Sequence, residues 1–205
     1  MKLFFHYCSF RFSNCYILGA DNCSDAIVID PGNMDEHILE YIEKNNLNLR
    51  AALITHDHIG HVHGLKTLLR IYQVEIFAIN RSVLDNRTTP VKDGDRIGIG
   101  PFVVEIISIP GHSADSAVFK IDNLLFTGDV LTAGLVGSTA STYGAATQIS
   151  KLRSRLFSLP GDYTVLPGHG PPSTLDAERR YNVGITRYNE KRIHRPAFKL
   201  SFLKD

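Results

Sequence analysis

The sequence predicts an α/β domain with mixed β-sheets, in which parallel and antiparallel strands occur together. Short apolar runs typical of strands alternate along the chain with segments whose apolar residues recur at helical spacing. Two of the strand pairs are joined by tight turns, and such turns connect antiparallel neighbours. No low-complexity linker and no clear repeat divides the chain, so we expect one domain over residues 1–205.

The first half of the chain predicts strands that are connected by helices. Ile38, Leu39 and Ile42 recur at helical spacing and predict an amphipathic helix over residues 35–46, and a similar pattern predicts a second helix over residues 65–72. Apolar runs bounded by turn residues predict the strands of this half, at residues 1–7, 10–18, 26–29, 49–54 and 75–79.

In the second half, turn signals separate closely spaced strands. Asp-Gly-Asp at 93–95 and Asp-Asn at 122–123 mark two of these turns. Leucines at helical spacing predict helices over residues 148–159 and 175–182, and the Gly, Ser and Thr content of residues 134–144 predicts a flexible loop. The predicted strands lie at residues 96–98, 102–109, 117–121, 124–127 and 163–166.

The composition is that of an ordinary globular protein, with 43% hydrophobic and 21% charged residues. Lys and Arg number 22 and Asp and Glu number 21, so the net charge does not favour nucleic acid or an anionic membrane surface as a partner. No apolar run approaches the roughly 20 residues of a membrane span. We therefore expect a cytoplasmic protein that acts on a small-molecule substrate, and no sequence feature specifies its oligomeric state.

The three cysteines, Cys8, Cys15 and Cys23, are odd in number and have no C-x-x-C spacing. This pattern argues against both a disulfide framework and a zinc finger. Cys15 lies in an alternating run, which predicts a small core residue. The cysteines therefore agree with a reduced, cytoplasmic setting.

Four of the nine histidines fall within residues 56–63, directly after an apolar strand. Neutral imidazole is the commonest protein ligand for a transition metal. His56 and His58 are two residues apart, so an extended segment places both side chains on one face. His61 follows three residues later, where a loop can turn it back. The cluster therefore predicts half of a metal site.

Three later strands also end in glycine followed by a residue that can bind a metal. These endings are Pro-Gly-His at His112, Thr-Gly-Asp at Asp129 and Pro-Gly-His at His169. Glycine permits tight turns that aim the next side chain at the edge of a sheet. Four strand ends that each present a candidate ligand predict a metal site assembled by the fold.

The order of these motifs resembles the metallo-β-lactamase superfamily, and within it the short glyoxalase II-like (hydroxyacylglutathione hydrolase-like) proteins. The motifs are Asp-Pro-Gly, Thr-His-x-His-x-x-His, Pro-Gly-His, Thr-Gly-Asp and Pro-Gly-His-Gly, and the match runs over residues 14–182. The resemblance implies a four-layer αβ/βα sandwich with the site along one edge of two packed sheets. It also implies a metal-dependent hydrolase.

By this resemblance, two metal positions share the carboxylate of Asp129. Zinc is the expected metal, with iron or manganese as alternatives. A water activated by the metal would attack a carbonyl, and Asp129, the expected catalytic residue, would orient that water and accept its proton. The implied ligands are His56, His58 and His112 for the first ion, and His61 and His169 for the second.

Gly60 is the most consequential departure from the family pattern, His-x-His-x-Asp-His, because it replaces the aspartate. The second ion loses a carboxylate ligand, so we expect one tightly bound ion and a weaker second one. His63 is a candidate replacement ligand, and the alternative is an exposed residue on a helical turn. Asp57 is not expected to substitute, because in an extended segment it points away from His56 and His58.

Two further departures concern Asp115 and the end of the chain. Asp115 stands in the loop after His112, where it either approaches the site or is solvated. Only 36 residues follow His169, so we expect no helical domain of the kind that binds glutathione in glyoxalase II. The basic segment at residues 191–195 is expected to be a solvated end, with nucleic-acid contact as the lesser alternative.

The resemblance to the glyoxalase II-like proteins implies hydrolysis of a thioester or a comparably activated ester. One alternative is a sulfur (persulfide) dioxygenase with a single iron, for which His56, His112 and Asp129 would supply the two-histidine, one-carboxylate set. Another is a degenerate metal-binding module without catalysis, which the loss of the carboxylate at Gly60 suggests. No signature of the nuclease or lactonase branches is visible in the sequence.

Overall fold

A computed structural model describes residues 1–185 of the chain, and the basic segment at 191–195 lies outside the described residues. The first sheet has six strands in the order β1-β2-β3-β4-β5-β8. The first three pair antiparallel and the last three join in parallel, so the sheet is mixed. Its strands are β1 (Lys2–Tyr7), β2 (Asn14–Gly19), β3 (Asp25–Ile29), β4 (Asn48–Leu53), β5 (Glu75–Ala78) and β8 (Thr89–Pro90).

Three helices and a small hairpin connect the strands of this sheet. Asp35 caps the first helix, because its side chain accepts a hydrogen bond from the backbone N–H of Ile38. The helices are α1 (Glu36–Lys44), the single turn α2 (Ile59–Val62) and α3 (Leu65–Ile71), and the hairpin pairs β6 (Ser82–Val83) with β7 (Asn86–Arg87).

The second sheet also has six strands, in the order β16-β15-β12-β11-β10-β9. Only β12 and β15 pair in parallel. The strands are β9 (Arg96–Ile99), β10 (Phe102–Ser108), β11 (Ala117–Ile121), β12 (Leu124–Gly128), β15 (Thr164–Pro167) and β16 (Ser173–Thr174). Between and after them lie a hairpin of β13 (Leu131–Thr132) and β14 (Leu135–Val136), helix α4 (Thr142–Lys151) with a π-helical turn at Leu152–Leu156, and helix α5 (Leu175–Tyr181).

Three apolar clusters separate four layers. The central cluster joins the facing sides of the two sheets and includes Tyr16, Ile27, Phe119 and Phe126. Apolar residues of α1 and α3 cover the outer side of the first sheet. Residues of the π-helical turn after α4 and of α5 cover that of the second. Each sheet is therefore buried on both faces, which explains its nearly continuous apolar strands. The predicted four-layer αβ/βα sandwich is confirmed.

The strand predicted over residues 10–18 is shorter than expected and begins at Asn14. Residues before it form a turn, in which Arg11 and Phe12 have φ of +59° and +58°. The Ser13 hydroxyl donates to the backbone carbonyl of Gly60 at 2.6 Å and ties this turn to α2. That bond joins distant parts of the chain, so the local sequence pattern could not indicate it.

The predicted loop at residues 134–144 was also partly wrong. It contains β14 and the start of α4, whereas we predicted the helix from residue 148. Ser141 caps this helix, because its hydroxyl accepts from the backbone N–H of Gly144 at 3.0 Å. The small residues that suggested a loop are thus the cap and first turn of a helix. Within residues 1–185, no helix combines the length and apolar character that a membrane crossing needs.

Candidate metal centre

The residues predicted as ligands follow the ends of four strands and converge at one edge of the two sheets. The strands concerned are β4, β10, β12 and β15. Two groups form, within each of which the candidate ligand atoms all lie within 4.8 Å of one another. Group one is His56, His58, His112 and Asp129, and group two is His61, Asp129 and His169. The structure therefore brings together all six residues expected from the sequence.

Two glycines make this close packing of side chains feasible. Gly128, which precedes Asp129, has φ of +50°, a conformation that side chains rarely adopt. At Gly168, a Cβ atom would lie 2.4 Å from His61 Cε1 and 2.5 Å from Asp129 Oδ1. The Gly-Asp and Gly-His endings seen in the sequence thus have a steric reason in the site itself.

In group one, the outer nitrogens of His56 and His112 are held by acceptors. The Thr55 hydroxyl donates to Asp30 Oδ2 at 2.6 Å, so it can only accept from His56 Nδ1, at 3.1 Å. His112 Nδ1 donates to the backbone carbonyl of Ser138 at 2.7 Å. Each ring therefore carries its proton on Nδ1 and directs the lone pair of Nε2 inward.

Both lone pairs point at the third imidazole of the group. His58 Nδ1 lies 3.0 Å from His56 Nε2 and 2.9 Å from His112 Nε2. Asp129 Oδ2 adds a carboxylate oxygen 3.6 Å from His112 Nε2. His58 Nδ1 has at most one proton, so it cannot donate a full hydrogen bond to both His56 Nε2 and His112 Nε2. The centre of group one therefore has more lone pairs than protons. This is the donor set that a divalent metal ion satisfies.

Group two repeats the arrangement around the other carboxylate oxygen of Asp129. His61 Nδ1 donates to Asp30 Oδ2 at 2.9 Å, which leaves a lone pair on the buried Nε2. That atom has no hydrogen-bond partner and lies 3.4 Å from Asp129 Oδ1. His169 Nε2 donates to the backbone carbonyl of Arg11 at 3.2 Å, and its Nδ1 lies 2.7 Å from Asp129 Oδ1. If both rings are neutral, the unprotonated nitrogens of His61 and His169 face a carboxylate oxygen of Asp129 with no proton between them. Group two therefore also fits a cation.

Burial and the two carboxylates determine the electrostatics of the site. Burial, reinforced by positive charge on His61, lowers the pKa of His56 to about 2, which favours the neutral, ligand-competent ring. Burial also opposes the charged form of His61, but Asp30 and Asp129 outweigh it and raise the pKa of His61 to about 10. Burial disfavours ionised Asp129 as well, yet the adjacent His169 and His61 rings hold the pKa of Asp129 well below its usual range.

Asp30 was not among the predicted site residues, although it positions both groups. It is 2% exposed and accepts three hydrogen bonds, from the Thr55 backbone N–H, the Thr55 hydroxyl and His61 Nδ1. It thus fixes His61 directly and His56 through Thr55. Its signal was present in the sequence, where an aspartate that ends an apolar strand opens the Asp-Pro-Gly motif.

Three other candidate residues lie outside both groups. The ring of His63 stacks on Phe10 at 4.0 Å between centroids, so it does not replace the ligand missing at Gly60. Asp57 likewise belongs to neither group, as its extended segment predicted. Asp115 is buried rather than solvated, and it accepts from the Asp57 backbone N–H at 3.0 Å and from Asn80 at 2.9 Å. Asp115 therefore holds the histidine loop in place.

Comparison with known proteins identifies the class. The sequence profile described as metallo-beta-lactamase superfamily matches residues 8–169, and the chain belongs to this superfamily. The chain is 32% identical over 193 residues to the hydroxyacylglutathione hydrolase GloC of Haemophilus influenzae, with 82% of this chain and 91% of that protein covered.

Two solved structures show the same fold. The BLEG-1 B3 metallo-beta-lactamase superposes with a TM-score of 0.83 at 21% identity, over 90% of this chain and all of that one. ETHE1 from Myxococcus xanthus superposes with a TM-score of 0.80 at 24% identity, over 96% of this chain and 93% of that one. Members of the superfamily bind divalent metals, and the histidine and aspartate groups of this chain fit such a site.

Proposed function

We propose that this protein is a metal-dependent hydrolase of thioesters or comparably activated esters. The observation that carries the proposal is the convergence of the inward lone pairs of His56 and His112, the ring of His58 and the carboxylate of Asp129 at the ends of the strands. The similarity to a hydroxyacylglutathione hydrolase supports an acylated thiol as the substrate class.

The residues of group one would hold the ion, and Asp129 would direct the chemistry beside it. A bound divalent ion supplies Lewis acidity, which lowers the pKa of a water molecule and polarises a carbonyl. Asp129 spans the two groups, because Oδ2 faces His56 and His112 while Oδ1 faces His61 and His169. From this position the carboxylate orients the attacking water by accepting its hydrogen bond.

Group two would bind a second ion more weakly. The family resemblance implies an aspartate where this chain has Gly60, so His61 and His169 have only the shared carboxylate of Asp129 to offset the repulsion between two dications. We therefore expect about one ion per chain at low free metal. The second position should fill only when metal is added.

A panel of thioesters tests the proposed function. We expect thiol release from small acyl thioesters, with kcat/KM for the glutathione carrier at most about tenfold above that for the N-acetylcysteamine carrier. Protein stripped by a chelator is the matched control and should release no thiol until metal is restored.

Three results, from this panel and from assays with other substrate classes, would contradict the proposal. Hydrolysis that persists in the stripped protein removes the role of the metal. Bound iron together with oxygen consumption on a persulfide would identify a dioxygenase that uses His56, His112 and Asp129. A tightly bound metal without turnover of any acyl, phosphoryl or persulfide substrate would identify a binding module.

A further inference from the structure

The side chain of Arg11 lies against the open face of Gly60. A Cβ atom built on Gly60 would lie 3.2 Å from Arg11 Cβ and 3.8 Å from Arg11 Cγ. Both residues line one open cavity of about 310 Å³, together with His61, Asp129 and His169 of group two. An arginine thus borders the space into which a side chain at position 60 would project.

The turn that carries Arg11 is held in place by its backbone. Arg11 and Phe12 are two successive residues in the left-handed region, which costs free energy and persists only where surrounding contacts enforce it. The contacts here are the bond from the Ser13 hydroxyl to the Gly60 carbonyl and the bond from His169 to the Arg11 carbonyl. Because these bonds use backbone atoms of Arg11 and Gly60, the guanidinium group of Arg11 stays available.

The charges around this cavity favour an anion. Within residues 1–185, the Arg11 guanidinium makes no hydrogen bond or ion pair, and its Cζ lies 5.9 Å from the centroid of the Phe10 ring. Asp129 is the one carboxylate among the described residues that line the cavity, and it belongs to both histidine groups. With an ion bound by group one, Arg11 would add a further positive charge to a cavity whose lining has only the carboxylate of Asp129.

We propose that Arg11 takes the place of the second cation and makes this cavity a binding site for a carboxylate group of the substrate. The planar guanidinium matches a carboxylate with two parallel hydrogen bonds, and it does so without a metal. The inference rests on the proposed function, because it names the chemical class of the thioester: one that carries a free carboxylate on its acyl part or on its thiol part.

Kinetics with matched substrates test the proposal. In the zinc-loaded protein, we expect succinyl-N-acetylcysteamine to be hydrolysed with a higher kcat/KM than butyryl-N-acetylcysteamine, or acetyl-thioglycolate to be preferred over acetyl-N-acetylcysteamine. The first pair places the carboxylate on the acyl part and the second on the thiol part. Arg11→Gln should reduce the preferred ratio by about tenfold, as expected for a charge-assisted hydrogen bond at an exposed site.

Arg11→Lys should restore part of the ratio, and Arg96→Gln, on edge strand β9, should leave it unchanged. An unchanged ratio in Arg11→Gln, or no carboxylate preference in either pair of substrates, would overturn the proposal.

Equilibrium binding separates failure of this proposal from failure of the proposed function. Calorimetry with the zinc-loaded protein should show tighter binding of butyrate than of butyramide, and Arg11→Gln should reduce the difference by about tenfold. If no thioester is hydrolysed but this difference appears and depends on Arg11, the hydrolase proposal fails and the carboxylate site stands. If butyrate binds no more tightly than butyramide, or if Arg11→Gln leaves the difference unchanged, the carboxylate site fails whatever the enzyme hydrolyses.

Metal titration provides a third readout that does not depend on activity. Gly60→Asp alone should barely tighten the second ion, because the new carboxylate would meet Arg11 and pair with it. Gly60→Asp combined with Arg11→Gln should tighten the second ion at least about tenfold beyond the single variant. A second ion bound as tightly by Gly60→Asp alone as by the double variant would show that Arg11 does not act at this position.

Discussion

Asp129→Asn is expected to lower kcat/KM for thioester hydrolysis by about 100-fold to 1,000-fold, as for other single groups that stabilise a transition state electrostatically. The substitution keeps the size of the side chain and removes its charge. It takes one ligand from each group and the acceptor that orients the water. The variant should remain folded, since Asp129 follows a strand end and the apolar clusters do not include it.

Asp57→Asn is the matched control for this prediction. Asp57 lies between His56 and His58 in sequence but belongs to neither ligand group. It should change kcat/KM by less than about tenfold, in line with an effect on loop packing alone. Measurement of kcat/KM, metal content and thermal unfolding for both variants checks the prediction. Comparable losses in the two variants, or retained activity in Asp129→Asn, would refute the role given to Asp129.

Asp30→Asn is expected to weaken metal binding by about 10-fold to 100-fold, the usual range for a residue that orients metal ligands. The asparagine oxygen can still accept from the Thr55 backbone, but its NH₂ group would face the Thr55 hydroxyl and His61 Nδ1. In the unmodified protein the Thr55 hydroxyl and His61 Nδ1 both donate to Asp30, so in the variant both donors would lose their acceptor. The free energy of unfolding should therefore fall by about 1–3 kcal/mol, the cost of a buried polar group left without a partner.

Asp122→Asn is the control for the left-handed backbone conformation of Asp30. Asp30 and Asp122 both have φ of +49°, a conformation that asparagine tolerates well. Asp122 lies in an exposed turn, so its replacement should change neither metal affinity nor stability. Competition with a chelator and urea unfolding measure the two quantities. Metal affinity unchanged in Asp30→Asn would show that the hydrogen bonds of Asp30 do not position His56 and His61.

The sequence was most informative where ligands follow directly after strands. His112, Asp129 and His169 each come after a glycine at the end of an apolar run, so local patterns alone marked them. Strands that end at one edge of packed sheets bring such residues together, and the structure does so within 4.8 Å. The α/β class with mixed sheets followed from the pattern of strands and helices, whereas the family resemblance implied the four layers.

What the sequence could not predict depends on hydrogen bonds between distant residues. The three bonds to Asp30, the bonds of Asp115 and the bond from Ser13 to Gly60 all join segments that are far apart in the chain. The turn around Arg11 was mistaken for a strand for this reason, since its conformation is fixed by α2 and by His169. The candidate metal ligands were therefore visible in the sequence, while the residues that position them required the fold.

Titration of the metal-free protein with Zn²⁺, with thioester hydrolysis followed in parallel, tests the central claim most directly. We predict that hydrolysis rises from zero in proportion to bound zinc and reaches its plateau at about one ion per chain, held by group one. Hydrolysis before any zinc is bound, or zinc bound at this stoichiometry with no hydrolysis of any thioester, would contradict the account.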